Sequence, residues 1–191
     1  FTNTQIEKFN YIISCFSEKG INPKYIHLAN SSGILFHPKS HYNTVRPGLS
    51  IYGISPNNEI NPHLKPVMKF KSPLIKIKSI KANQYIGYNR KYKTTIPERI
   101  GIFQGGYADG INTCFNNNGN VIYNGSIMPI RGKVSMDMMA VDLKDSPINV
   151  GDYATIWDDN SLKLEKLAEK YNKIPYEFLV NLSDRVKRVY L

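Results

Sequence analysis

Lys71-Ser-Pro-Leu-Ile-Lys-Ile-Lys-Ser-Ile-Lys-Ala82 sets lysines and serines against Leu74, Ile75, Ile77 and Ile80 at nearly a two-residue period. Successive side chains of a strand point to opposite faces, so this segment reads as a β-strand with one wet face. The same reading extends downstream to Tyr85–Tyr88, Ile100–Gln104, Val121–Tyr123, Ser126–Ile130, Met139–Leu143 and Tyr153–Trp157, separated by Gly, Asn and Pro turns. Many short strands with such turns predict an all-β C-terminal domain over 67–191, either a barrel or a sandwich. One late helix is expected over Leu162–Tyr171, with Leu164, Leu167, Ala168 and Tyr171 on one face. A last strand near Phe178–Val180 or Val186–Tyr190 would close the domain.

Upstream, the character changes. Ser55 to Pro66 holds three prolines and three asparagines, which places a linker at 56–66. Before it, Thr4 and Glu7 have capping-box spacing, and Ile6, Phe9, Ile13 and Phe16 recur at helical spacing until Gly20. Tyr25–Ala29 reads as a buried strand, Asn30-Ser31-Ser32-Gly33 as a polar loop able to start a helix, and Val45–Tyr52 as a second strand beyond a short stretch at His37–Tyr42. Helix, strand, short helix, strand is the tail of an alternating architecture, so residues 1–55 are expected to form an α/β barrel tail, the last strands of a β/α barrel. Two such strands cannot cover their own faces and edges. With a start at Phe1-Thr2-Asn3-Thr4, the expectation is a fragment of a longer chain.

The formal net charge is +10, and between Lys65 and Arg99 ten basic residues face one acid, Glu98. Alternation with apolar residues favours a solvated strand face over a nucleic-acid surface. Cys15 and Cys114 imply neither a disulfide framework nor metal spacing, and the four histidines show no helical ligand pattern, so no metal is expected and a cytoplasmic setting is the default. No stretch approaches the length of a membrane helix.

Three stretches carry candidate chemistry. Ser31 and the Arg46-Pro47-Gly48-Leu49 turn follow the two expected barrel strands, where phosphate commonly sits in such barrels; a hydroxyl, free N–H groups at a glycine turn and a permanent cation suit an anion. Gly105-Gly106-Tyr107-Ala108-Asp109-Gly110 is either a plain turn or a phenol held out by a tight loop. At pH 7 only about one free tyrosine in a thousand is ionised, so catalysis there would require cationic or hydrogen-bonding neighbours. Arg131-Gly132-Lys133-Val134-Ser135-Met136-Asp137-Met138-Met139 puts a polar turn among apolar residues, its methionines readable as core filler.

Taken together, His27–Ser31, Val45–Gly53, Gly106-Tyr-Ala-Asp-Gly110, Val134-Ser-Met-Asp137, Tyr176-Glu177 and Arg185–Tyr190 resemble the alanine racemase family, in order and spacing, from about Ile26 to the C-terminus. The resemblance implies a pyridoxal 5'-phosphate barrel followed by a β-domain, in a head-to-tail homodimer with an N-terminal barrel half. It implies phosphate binding by Ser31, the backbone of Gly48 and Leu49, and Tyr176. Arg46 would hold the pyridine nitrogen, and the main chain of Met136 would meet the substrate carboxylate. Tyr107 would be the acid/base for the L-isomer, acting in the partner subunit's site. Asp137 would brace its loop. The opposite base, the lysine that holds the cofactor, would come from the first barrel strand, outside these residues. The implied reaction is interconversion of L- and D-alanine, supplying D-alanine for cell-wall synthesis. Three positions depart from the family pattern: Tyr88-Asn89 where Tyr-Gly is usual, Lys133 for a common arginine, and Lys187 for a common proline. Serine or broad amino-acid specificity stays open. So does a competing class, a basic β-module binding nucleic acid through Lys65–Lys93 with Phe70, Tyr85, Tyr88 and Tyr92.

Overall fold

The structure is a computed structural model describing residues 1–57, 59–158 and 160–191; Asn58, inside the expected linker, and Asp159 lie outside the described residues. The chain divides into two compact units, Phe1–Lys65 and Pro66–Leu191.

In the first unit, helix α1 (Thr2–Glu18) ends where Lys19 and Gly20 close back onto Phe16 and Ser17. Its start differs from the expected capping box: Phe1 is the N-cap and no side chain caps the helix. Of the apolar stripe only Ile6 is buried. Helix α2 (Ser31–Phe36) starts where the polar loop was expected to start one, because the Asn30 carboxamide accepts the Gly33 N–H at 3.1 Å. The two expected strands are not found. Tyr25–Asn30 forms no regular element; its cross-links include the Arg46 N–H to the Ala29 carbonyl, 2.9 Å, and the Ile26 N–H to the Asn43 side chain, which also donates to the Lys24 carbonyl. Leu49–Tyr52 is a 3₁₀ turn closed by Gly53 at φ 71°. No strand ladder exists among the described residues of this unit, and the barrel-tail expectation therefore stands uncorroborated by its hydrogen bonding. Pro47, lacking a donor, and Gly48 bend the chain away from a ladder.

The second unit is a closed antiparallel barrel. Its strands are β1 (Phe70–Ile80), β4 (Glu98–Gln104), β5 (Asn120–Tyr123), β6 (Ser126–Arg131), β7 (Met138–Asp142) and β8 (Tyr153–Trp157), in the order β1-β4-β7-β6-β5-β8. A small side ladder pairs β2 (Tyr85–Ile86) with β3 (Tyr92–Lys93). β1 serves two neighbours: Phe70–Pro73 pair with β8, and Leu74–Ile80 with β4, across a bulge between Leu74 and Lys76. The bulge leaves Leu74 buried and puts Ile75 and Lys76 outside together, interrupting the lysine alternation. Gly101 is needed in β4, since a methyl group there would come within 2.8 Å of Leu74 and 2.7 Å of Leu143.

The barrel interior is filled by Phe103, Met128, Ile130, Met139, Val141 and Ile156. One end is stoppered by an aromatic chain, Phe70 on Trp157 at 4.6 Å, Trp157 near Phe178, and Phe115 between Phe178 and Tyr171. Phe178 belongs to helix α4 (Pro175–Val180), which follows α3 (Leu164–Lys170). The last strand expected at Phe178–Val180 is thus helical: Pro175 at the first helical position and the burial of Pro175, Phe178 and Leu179 on one side favour a turn of helix. Residues 186–190 form no regular element. β8 closes the barrel instead.

Candidate functional site

Gly106 explains why the tyrosine loop is built as it is. A Cβ there would overlap the Ser135 carbonyl oxygen and lie 2.5 Å from that of Met136. Without one, the 105–111 loop lies directly on the 135–137 segment. Gly105 N–H donates to the Asp137 carbonyl at 2.7 Å, Tyr107 N–H to Ser135 at 3.0 Å and Ala108 N–H to Met136 at 3.0 Å. Asp109, buried at 8% exposure, accepts the Gly106 N–H at 2.9 Å and faces the Arg185 guanidinium at 3.4 Å. The two stretches singled out from the sequence, the tyrosine loop and Ser-Met-Asp, are therefore one construction. Tyr107 is left half-exposed at its rim, as is the Met136 side chain.

The bracing acid is Asp109. Asp137 contributes its main-chain carbonyl, while its side chain is exposed. Asp109 could have been found from its position three residues after Gly106 in a glycine-bounded turn, the spacing at which a carboxylate caps a free N–H.

The turn that carries a second phenol packs on Gly132 and Lys133, just before the same segment. Tyr88 is exposed on a turn between β2 and β3 in which Gly87 (φ 73°), Asn89 (60°) and Arg90 (51°) all take left-handed backbone. Gly87 and Gly132 pack closely: a Cβ at Gly132 would meet the Ile86 carbonyl at 2.8 Å, and one at Gly87 would sit 3.4 Å from the Lys133 nitrogen. Tyr88 and Tyr107 thus rise from two turns laid on successive parts of residues 132–137. Tyr88-Asn89 departs from the family pattern, and Tyr88 also belongs to the alternative basic face; the combination of Gly87 with Asn89, both tolerant of positive φ, is the sequence signal of a special turn.

Behind Tyr88, Tyr92 donates to Glu98 at 2.5 Å and lies under the Arg131 guanidinium, 4.7 Å from its ring centre. Arg131 also pairs with Asp142 at 2.8 Å. Burial, then the bond to Glu98, push the Tyr92 phenol up to about 12. Burial likewise pushes Tyr171 to about 12.

In the first unit, Ser31 is buried and its hydroxyl accepts the N–H groups of Gly48 (2.9 Å) and Ser50 (3.2 Å), with the Ser50 hydroxyl at 3.2 Å. Leu49 sits fully buried between them. Arg46 lies along the 27–29 segment, its guanidinium 2.5 Å from His27 Nδ1 and 3.2 Å from the His27 carbonyl. Hydroxyls, turn N–H groups and a guanidinium, with no carboxylate in the set, fit a phosphate ester and a ring nitrogen that accepts a hydrogen bond. Ser50 was missed from the sequence. Tyr176, on α4, belongs to the other unit and is about one-third exposed. Among the described residues no His/Cys/Asp/Glu cluster could hold a metal, and no helix is long and apolar enough to cross a membrane.

Comparison with known proteins supplies the rest. The family described as alanine racemase, C-terminal domain, matches residues 67–190, and alanine racemase, N-terminal domain, matches 1–56. An alanine racemase of Vesicomyosocius okutanii is 40% identical over 162 residues, covering 83% of this chain and 45% of that protein. Alanine racemase 1 of Clostridium acetobutylicum is 33% identical over 198 residues, covering 100% of this chain and 51% of the relative. Among solved structures, alanine racemase from D-cycloserine producing Streptomyces lavendulae superposes with a TM-score of 0.93 at 31% identity, over 100% of this chain and 52% of that one. Alanine racemase from Bartonella henselae with covalently bound pyridoxal phosphate does so at 0.87 and 31%, over 100% and 52%. The chain spans about half the length of the relatives it matches.

Proposed function

Because the chain belongs to the alanine racemase family, we propose that it carries one side of a pyridoxal-phosphate-dependent racemase interconverting L- and D-alanine. The observation that carries this reading is the stitching of the Tyr107 loop onto Ser135–Asp137 by three main-chain hydrogen bonds. It presents phenol and main-chain polar groups together on a rigid barrel.

The first unit takes the cofactor role, as the C-terminal part of a β/α barrel. The Ser31 hydroxyl and the N–H groups of Gly48 and Leu49 hold the phosphate, and Arg46 holds the pyridine nitrogen. An arginine does not surrender its proton, so that nitrogen stays an acceptor. When bound, pyridoxal phosphate supplies an electron sink for the pair left on Cα. The protein's own task is proton handling. Inverting Cα requires a base on each side of the substrate plane. A phenol of the barrel unit takes or returns the proton on one side, acting in the site of a second copy of the chain. A cofactor-holding lysine from the family's N-terminal barrel strands serves the other. Met136's main chain meets the substrate carboxylate. The setting is cytoplasmic, with D-alanine passed to cell-wall synthesis.

Tyr107 is the phenol that the sequence resemblance puts in that role. The turn at Tyr88 favours the second phenol, since Arg90 at φ 51° is a strained backbone conformation of the kind kept at reacting groups. In the holoenzyme, Tyr88→Phe should slow exchange of the α-proton of L-alanine by about 100-fold or more, with the cofactor absorbance band intact. Tyr107→Phe should slow it less. The opposite order would return the role to Tyr107, and near-parent turnover in both variants would sink the reading.

A further inference from the structure

We propose that Asn117 is a positioning residue: it clips the Tyr88 turn to the segment that also carries Met136, and so sets where the phenol stands. The inference rests on the racemase reading above for its catalytic consequence, and on geometry alone for the clip.

Asn117 lies in the Asn116-Asn117-Asn118 run, which has no role in the chemistry described so far. Its backbone is left-handed, φ 52°, a conformation that asparagine tolerates better than other side chains. That twist lets its main chain and its side chain face the same strand end. The main-chain N–H donates to the Gly132 carbonyl at 3.0 Å, and the side-chain oxygen accepts the Gly132 N–H. The carboxamide NH₂, pointing the other way, donates to the Lys91 carbonyl at 3.0 Å. Asn116 completes the junction by accepting the Val134 N–H at 2.7 Å.

Lys91 is the residue on which the Tyr88 turn ends. The other end of the turn, Ile86 and Gly87, is packed against Gly132 and Lys133. The base of the hairpin is held separately, where the buried Thr94 hydroxyl donates to the Lys81 carbonyl at 2.7 Å and accepts the Gln84 N–H at 2.9 Å. Residues 87–90, with Arg90 strained at φ 51°, thus lie between two held points, and at the second the Lys91 carbonyl is held by a single carboxamide. Strain of this kind persists only where the surroundings hold it. Release of the Lys91 carbonyl lets the turn relax and carries Tyr88 away, while the Tyr107 loop keeps its own bonds to 135–137.

Asn117→Asp separates the two halves of the clip. The carboxylate still accepts the Gly132 N–H and still tolerates φ 52°, but it has no donor for the Lys91 carbonyl. In the holoenzyme this variant should lose kcat by about 10-fold with KM within about 2-fold, as expected for a displaced acid/base group. Amide hydrogen exchange, followed by mass spectrometry, should accelerate across 88–93 and stay unchanged across 105–111. Should the aspartate variant misfold, Asn117→Gly keeps the left-handed backbone and drops both side-chain bonds, and it is read the same way. Unchanged exchange across 88–93 overturns the clip. Faster exchange with parent kcat overturns its catalytic consequence; if Tyr88→Phe is also active, the phenol assignment has failed with it, and if Tyr88→Phe is inactive, only the positioning role has.

Discussion

Tyr92 shows how much one phenol can couple stability to pH. Its hydroxyl donates to Glu98, its ring lies under Arg131, and burial with that carboxylate raises its pKa to about 12. The unfolded chain titrates near 10. A group whose pKa is raised by folding stabilises the protein fully below the unfolded value and loses that contribution as pH rises through the folded one. The Tyr92 contribution is therefore present up to about pH 10 and lost between 10 and 12. Tyr92→Phe should be less stable at neutral pH by about 1–3 kcal/mol, because Glu98 loses a donor, and its stability should fall less steeply than the parent's between pH 10 and 12. Denaturant midpoints at pH 8 and at successive alkaline values check this; parallel curves for parent and variant would refute it. At this scale the sequence was informative about residue type and poor about partner. Tyr107, Met136, Ser31 and Arg46 stand out by their setting in glycine and proline turns, whereas Asp109, Ser50 and Asn117 act through a particular N–H that only the folded backbone identifies.

Elements were legible where one periodicity dominated. The lysine alternation in Lys71–Ala82 yields β1, and the apolar stripe of α1 yields a 17-residue helix. Val45–Tyr52 failed for a physical reason: the N–H groups of Gly48 and Ser50, which a strand would spend on a neighbour, both go to the Ser31 hydroxyl. A short apolar run cannot announce that its donors have another acceptor. The 3₁₀ turn at Leu49–Tyr52 therefore exists by virtue of one side chain on another element. Ser31→Ala should leave those N–H groups unsatisfied, accelerate amide exchange across 48–52, and weaken pyridoxal phosphate binding to the holoenzyme by about 10-fold or more, the worth of a hydrogen bond to a charged group. Cofactor titration by absorbance measures the second effect. Faster exchange with unaltered cofactor affinity would remove Ser31 from the phosphate site while keeping it as the organiser of the turn.

At the scale of the molecule the two units are unequal. In Pro66–Leu191 a closed barrel removes every strand edge around its ring, and the core runs from Phe70 through Trp157 to Phe178 without interruption. In Phe1–Lys65 the buried apolar residues are Ile6, Ala29, Leu49 and Ile54 among the described residues, while Tyr11, Ile12, Phe16, Tyr25, Ile51 and Tyr52 are exposed. A chain of about 65 residues is marginal even with a good core, and this one lacks the area to offset its ordering entropy. Expressed separately, residues 66–191 should unfold in one cooperative transition, and residues 1–65 should show helical signal without one. The nucleic-acid alternative meets its test on the same barrel fragment, whose exposed Lys71, Lys76 and Lys78 lie along β1: any DNA binding should be weak and vanish with modest salt, as for a solvated strand face. A cooperative melt from 1–65 alone would show that its exposed aromatics need no cover, and would contradict the assignment of that unit to part of a larger barrel.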